Sequence, residues 1–296
     1  MFVKKSLLVG VIGCVLGFNV PSAEANSARE TIEQRTLANG LDVILVSTPT
    51  VPIVTVELCV KNGAFTEPPE LNGLSHLYEH MFFKGNDVIP DQEAYLKRMR
   101  ELGIVFNGTT GTERVNYYFT LPTDRLREGL VFMKDAITTL RFDEVEFAKE
   151  KQVVIGEVDR NESSPYHWFR QAMSQRLWHA HPSRKDSLGD RKTVLGATVE
   201  QMKAMKARYY VPNNAALVIS GNVGGADAFA VAEEIFGGWE RGADPFAGDP
   251  IPKHPPIQPG ASFVLHKEVQ VPVVMFSWHG PSVGSDPRST YASDVL

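Results

Sequence analysis

Leu74-Ser75-His76-Leu77-Tyr78-Glu79-His80-Met81-Phe82-Phe83 is the stretch around which the rest of the chain is organised. It contains no proline, and the nearest glycine, Gly73, stands at its entry. Apolar residues recur at 74, 77, 78 and 81, the spacing of an amphipathic helix. On a helix, residues three and four apart share a face. His76 and His80 therefore point the same way, with Glu79 beside them. Two imidazoles so placed form half of a tetrahedral zinc site. A neighbouring carboxylate can take a proton from water attacking there. The order His-x-x-Glu-His reverses the commoner His-Glu-x-x-His of zinc hydrolases. The plainer alternative is a surface helix with two solvated histidines, and a third ligand elsewhere in the chain decides between the two.

The chain has 296 residues, of which 43% are hydrophobic and 22% charged, enough for one large domain or two ordinary ones with a real core. A net charge of -5 and a pI near 5.9 argue against nucleic acid or an anionic membrane as the main partner. After the first 25 residues no apolar run reaches the length of a membrane span. Residues 1–25 read as a secretory signal peptide: Lys4 and Lys5 are followed by an apolar run from Ser6 to Phe18 and by the small-x-small site Ala23-Glu24-Ala25. Lipidation at Cys14 is the weaker alternative, because Val15-Leu16-Gly17-Phe18 continues the apolar run past it. Without that segment Cys59 is the single cysteine, so no internal disulfide can form, which suits an exported protein of the bacterial periplasm.

Along the chain, Thr31–Thr36 and Leu41–Val46 flank Asn39-Gly40, a strong hairpin signal. Ile53–Val60 alternates Val54, Val56, Leu58 and Val60 against Thr55, Glu57, Cys59 and Lys61, so one face seeks a core and the other is wetter. On that wetter face Cys59 reads as an inert, packed thiol. Helical patterns follow over 91–103, 124–140, 142–161, 166–178, 198–210 and 226–236, and strands over 104–110, 115–121, 215–220, 263–267 and 271–278. This mixture predicts an α+β domain, mostly antiparallel sheet with helices packed on one face. Residues 26–244 form the zinc-binding region, and 245–296 a proline-rich connector and the start of a following α/β region that stops within an element.

A catalytic zinc takes three protein ligands and keeps a fourth position open. Glu157 is the candidate third ligand, since it sits in the apolar run Val153-Val154-Ile155-Gly156-Glu157-Val158, where an unpartnered carboxylate is costly. Glu150, two helical turns earlier, shares its face and can accept a ligand imidazole N–H.

These residues resemble the pitrilysin/insulinase family of zinc peptidases. That family's pattern is His-x-x-Glu-His, 76 residues, then Glu, and residues 81–156 supply that interval here. Flanking matches include Gly73-Leu74-Ser75-His76, Met81-Phe82-Phe83-Lys84-Gly85, the Asn107 strand, and Tyr209-Tyr210-Val211-Pro212-Asn213-Asn214. The resemblance implies the fold of the mitochondrial-processing-peptidase-like metallohydrolases and a zinc endopeptidase acting on peptides or unfolded polypeptides. One zinc per chain would be held by His76, His80 and Glu157, with Glu79 as general base and substrate paired along Asn107-Gly108-Thr109-Thr110 by β-augmentation. It also implies a homologous second half or partner subunit that closes a chamber over the substrate. Family members often carry alanine where Gly108 stands. The alternative from another class is a non-catalytic partner subunit or peptide-binding module; such subunits usually lose ligands or base, and all four residues are kept here.

Overall fold

The structure, a computed structural model, describes residues 31–180, 186–248, 250, 254–257 and 260–295 of the chain. The expected signal peptide, with Cys14, lies outside the described residues. In chain order the elements are β1 (Thr31–Thr36), β2 (Asp42–Ser47), β3 (Ile53–Val60), α1 (Leu74–Phe82), α2 (Gln92–Glu101), β4 (Val105–Thr110), β5 (Val115–Pro122), α3 (Leu126–Thr138), α4 (Glu144–Glu162), α5 (Pro165–Leu177), α6 (Arg191–Gly196), α7 (Val199–Tyr209), β6 (Ala215–Gly221), α8 (Gly225–Phe236) and α9 (Pro287–Ser293).

The strands form one sheet in the order β1-β2-β6-β3-β5-β4. Only β2 and β6 run parallel; every other neighbouring pair is antiparallel. The hairpin between β1 and β2 turns at Gly40 with φ 91, a left-handed conformation that glycine adopts freely. Asn39 in that turn donates to the carbonyls of Phe236 and Trp239, tying the hairpin to the end of α8.

Alternation decides which face of the sheet is covered. Val54, Val56, Leu58 and Val60 are fully buried, while Thr55, Glu57 and Cys59 are half-buried. The same holds for Val43 and Leu45 in β2 and for Leu217 and Ile219 in β6. Helices α1, α3 and α8 pack on this apolar face, and α4 packs on α1. Phe82 of α1 stacks on Tyr117 of β5 with ring centroids 4.0 Å apart, and Tyr78 stacks on Tyr210 at 3.8 Å. Large aromatic areas leaving water together are the main reason so short a helix holds one position.

The start of α1 is completed from outside the helix. Its N-cap, Gly73, has no side chain to offer, with φ 97. The buried carboxylate of Glu67 instead accepts the N–H of Gly73 at 2.8 Å and that of Ser75 at 2.6 Å. Free N–H groups and the helix dipole both favour a negative charge at this place.

One expectation changes, and one helix is new. Residues 263–267 and 271–278 form no strand, and Val264, Val274, Phe276 and Trp278 are exposed. Their alternation suits a strand, but a strand persists only when a neighbour takes its main-chain groups, and among the described residues none pairs with them. Helix α6 lies in a stretch whose periodicity is too short to register; Asp190 caps it by accepting from Thr193.

Replacing Glu67 by alanine strips two N–H groups of a charged acceptor, so urea unfolding of Glu67→Ala is expected to show a loss of about 2–3 kcal/mol; a loss near zero would mean the cap is dispensable. Cys59 is the second check. Burial, then the nearby Glu57, pushes its thiol up to about 12. Folded protein at pH 8 is therefore expected to resist iodoacetamide and to alkylate readily once unfolded in urea.

Candidate metal centre

One helical turn separates His76 from His80 on α1, and their rings meet edge-on with centroids 4.7 Å apart. Helix α4 crosses alongside and brings Glu157 opposite both. Its Oε2 lies 3.6 Å from His76 Nε2 and 3.8 Å from His80 Nε2. Those separations exceed a hydrogen bond. They approach the edge of a tetrahedron about an ion with bonds near 2.1 Å, roughly 3.4 Å. One ligand atom from each of the three residues falls within 4.8 Å of the others, and among the described residues no other trio of His, Cys, Asp or Glu does so. The donor set, two imidazoles and a carboxylate, fits zinc by both spacing and chemistry.

The imidazoles are held differently. Nδ1 of His80 meets Glu150 Oε2 at 3.0 Å, and Lys84 Nζ reaches the other Glu150 oxygen at 2.6 Å. With Nδ1 donating to that carboxylate, Nε2 keeps its lone pair for the side facing Glu157. Burial alone would raise the Glu150 carboxyl, but the hydrogen bonds from His80 and Lys84 outweigh it and hold the group below the usual range. His76 is held neutral: burial, and after it the neighbouring His80, lower its pKa to about 3. A neutral imidazole is the form that ligates.

Glu79 extends from the same helix toward β4, the edge strand of the sheet. Thr110 Oγ1 donates to its Oε2 at 2.6 Å. Gly108 leaves room for it: a Cβ there would come within 2.8 Å of both Cγ and Oε1 of Glu79. Burial raises the Glu79 carboxyl above its ordinary range, against the opposing hydrogen bond from Thr110.

The predicted residues thus fall into two groups. His76, His80, Glu157, Glu79 and Glu150 converge on one spot, the first three at ion-sharing distances. Asn107, Gly108, Thr109 and Thr110 lie beside it on β4, but the side chains of Asn107, Thr109 and Thr110 have partners within the protein. Asn107 Oδ1 accepts the N–H of Gly108 at 2.9 Å, Thr109 Oγ1 donates to Asn116 Oδ1 at 2.6 Å, and the Thr110 hydroxyl is taken by Glu79. Sequence reasoning missed Lys84, which its position four residues after His80 could have flagged. It also missed Glu67, for which no local pattern exists.

Comparison with known proteins places this geometry. Residues 42–191 match the family described as Insulinase (Peptidase family M16), and residues 196–296 match the Peptidase M16 inactive domain. The chain is 29% identical over 210 residues to an uncharacterized zinc protease of Bacillus subtilis (strain 168), covering 71% of this chain and 51% of that protein. It is 28% identical over 226 residues to the insulin-degrading enzyme of Homo sapiens, covering 74% of this chain and 22% of that one. Among solved structures, a protease from Helicobacter pylori superposes with a TM-score of 0.69 at 25% identity, covering 76% of this chain and 54% of that one. The first half of a periplasmic protease from Escherichia coli shares the fold, with a TM-score of 0.67 at 21% identity over 72% of this chain and 47% of that one. The chain spans about half the length of the bacterial zinc proteases it matches. A mostly antiparallel sheet, helices on one face and an inverted His-x-x-Glu-His helix facing a distant Glu thus come together in a chain that belongs to the insulinase (M16) peptidase family.

Proposed function

We propose that this chain is the metal-binding half of a zinc-dependent endopeptidase that hydrolyses peptides or unfolded polypeptides. The observation that carries the reading is the convergence of His76, His80 and Glu157 at ion-sharing distances, with the Glu79 carboxylate alongside. His76, His80 and Glu157 would hold one zinc ion. When bound, zinc polarises the scissile carbonyl and makes water a nucleophile near neutral pH.

The chain's own residues do the rest. Glu79 accepts the proton of the attacking water and returns it to the departing amine, a role for which a buried, raised carboxyl is suited. Thr110 fixes where that carboxylate points. Through Nδ1 of His80, Glu150 sets the ring's tautomer and orientation, with Lys84 neutralising the remaining charge. Edge strand β4 offers its main chain to an extended peptide, which favours unfolded substrates over folded ones. The match spans only about half of each bacterial zinc protease, which supports a second half, in the same chain or a partner, that covers the substrate. The leader-like residues 1–25 support export to a periplasm, and no helix of the described residues is long and apolar enough to cross a membrane.

Metal analysis of the purified chain is expected to find about one zinc per chain, and His76→Ala to lose it; a zinc-free chain after zinc loading would remove the reading. Glu79→Gln is expected to keep the zinc yet cut hydrolysis of an unstructured fluorogenic peptide by roughly 10²–10⁴-fold. Full activity in that variant would assign the base elsewhere.

A further inference from the structure

Strand β4 ends the sheet, so one of its sides has no strand neighbour. Main-chain groups alternate in direction along an antiparallel strand. Gly108 and Thr110, two residues apart, therefore aim theirs to the same side. One such group on each is occupied, and by a group outside β5. The Gly108 N–H donates to Asn107 Oδ1 at 2.9 Å, and the Thr110 carbonyl accepts from Ser187 Oγ at 2.8 Å. Just beyond, the carbonyls of Gly111 and Thr112 accept the N–H groups of Ala64 and Phe65 at 3.3 and 2.9 Å, so the turn after β3 covers the end of the strand.

Ser187 is held firmly in that position. Two residues on, Gly189 has φ 83 and packs so closely on Gly73 that a Cβ on it would meet the Gly73 Cα at 2.4 Å. Before it, Asp186 Oδ1 accepts the N–H of Leu188 at 3.1 Å, and after it Asp190 caps α6. The loop is thereby clamped to the start of α1, with the serine hydroxyl turned onto β4. An exposed strand edge invites pairing with any extended chain, and proteins blunt such edges.

We infer that Ser187 and Asn107 are displaceable caps on the edge of β4, occupying two of the main-chain groups that an extended polypeptide claims when it pairs there. The inference rests on the proposed reading of β4 as the peptide-binding strand and adds what guards it. Each cap is one neutral hydrogen bond, worth about fivefold in an equilibrium. That is enough to disfavour casual pairing and weak enough to yield to a ladder of several bonds. Thr110 links the two functions: its carbonyl carries the cap while its hydroxyl holds Glu79.

The test measures binding of a fluorescein-labelled unstructured peptide to the zinc-loaded full chain carrying Glu79→Gln, so that nothing is cleaved. Adding Ser187→Ala is expected to tighten Kd about fivefold, the value of the released bond, while Ser187→Thr, which keeps a hydroxyl, stays at the parent value. An unchanged or weakened Kd in Ser187→Ala overturns the caps. Hydrogen exchange over residues 105–110 separates this from the underlying reading. Absence of peptide binding, or binding without protection of that strand, sinks β4 as the docking strand. Protection with a Kd indifferent to Ser187 sinks the caps alone.

Discussion

Glu157 stands between the Nε2 atoms of His76 and His80 at distances too long to be hydrogen bonds and suited to a shared ion. Everything nearby serves that arrangement. A nine-residue helix has little stability of its own. Here its apolar face is locked by Tyr78 on Tyr210 and Phe82 on Tyr117, its open N-terminus by Glu67, and its polar face by the Glu150–Lys84 pair behind His80. The polar partners are carboxylates placed at N–H and imidazole groups. Burying them is tolerable because each has a donor opposite.

The same helix faces the edge of the sheet, which joins the chemistry to the strand. Glu79 reaches from α1 to Thr110, and the absence of a side chain at Gly108 makes the approach possible. An alanine at this place would need Glu79 to sit differently. Gly108 is thus less a flexible point in the strand than the space in which a carboxylate is parked. Thr110 thereby ties the Glu79 carboxylate to the edge strand, its hydroxyl on Glu79 and its carbonyl on Ser187.

Much of the centre is legible in the chain because it is local. His76, Glu79 and His80 sit at helical spacing, and Glu150 and Glu157 two turns apart on one long helix, so each helix carries its half without help from the fold. Cys59 is likewise placed by the alternation of β3, and its half-burial against Glu57 gives the unreactive thiol expected there. The strands expected at 263–267 and 271–278 failed for the converse reason. Alternation states which face would be buried but cannot supply the neighbour that a ladder requires.

By itself, then, the sequence determined the strand and helix periods, the face each one buries, and the residue types that could share an ion. Only the tertiary structure decided that α4 lays Glu157 against α1, that Glu67 closes the helix start, that β2 pairs in parallel with β6, and that Ser187 reaches Thr110. These contacts join residues far apart in the chain, and their partners are set by the packing of whole elements rather than by any local pattern. A glutamate at position 67 reads as one more loop acid until the fold carries two unpaired N–H groups to it.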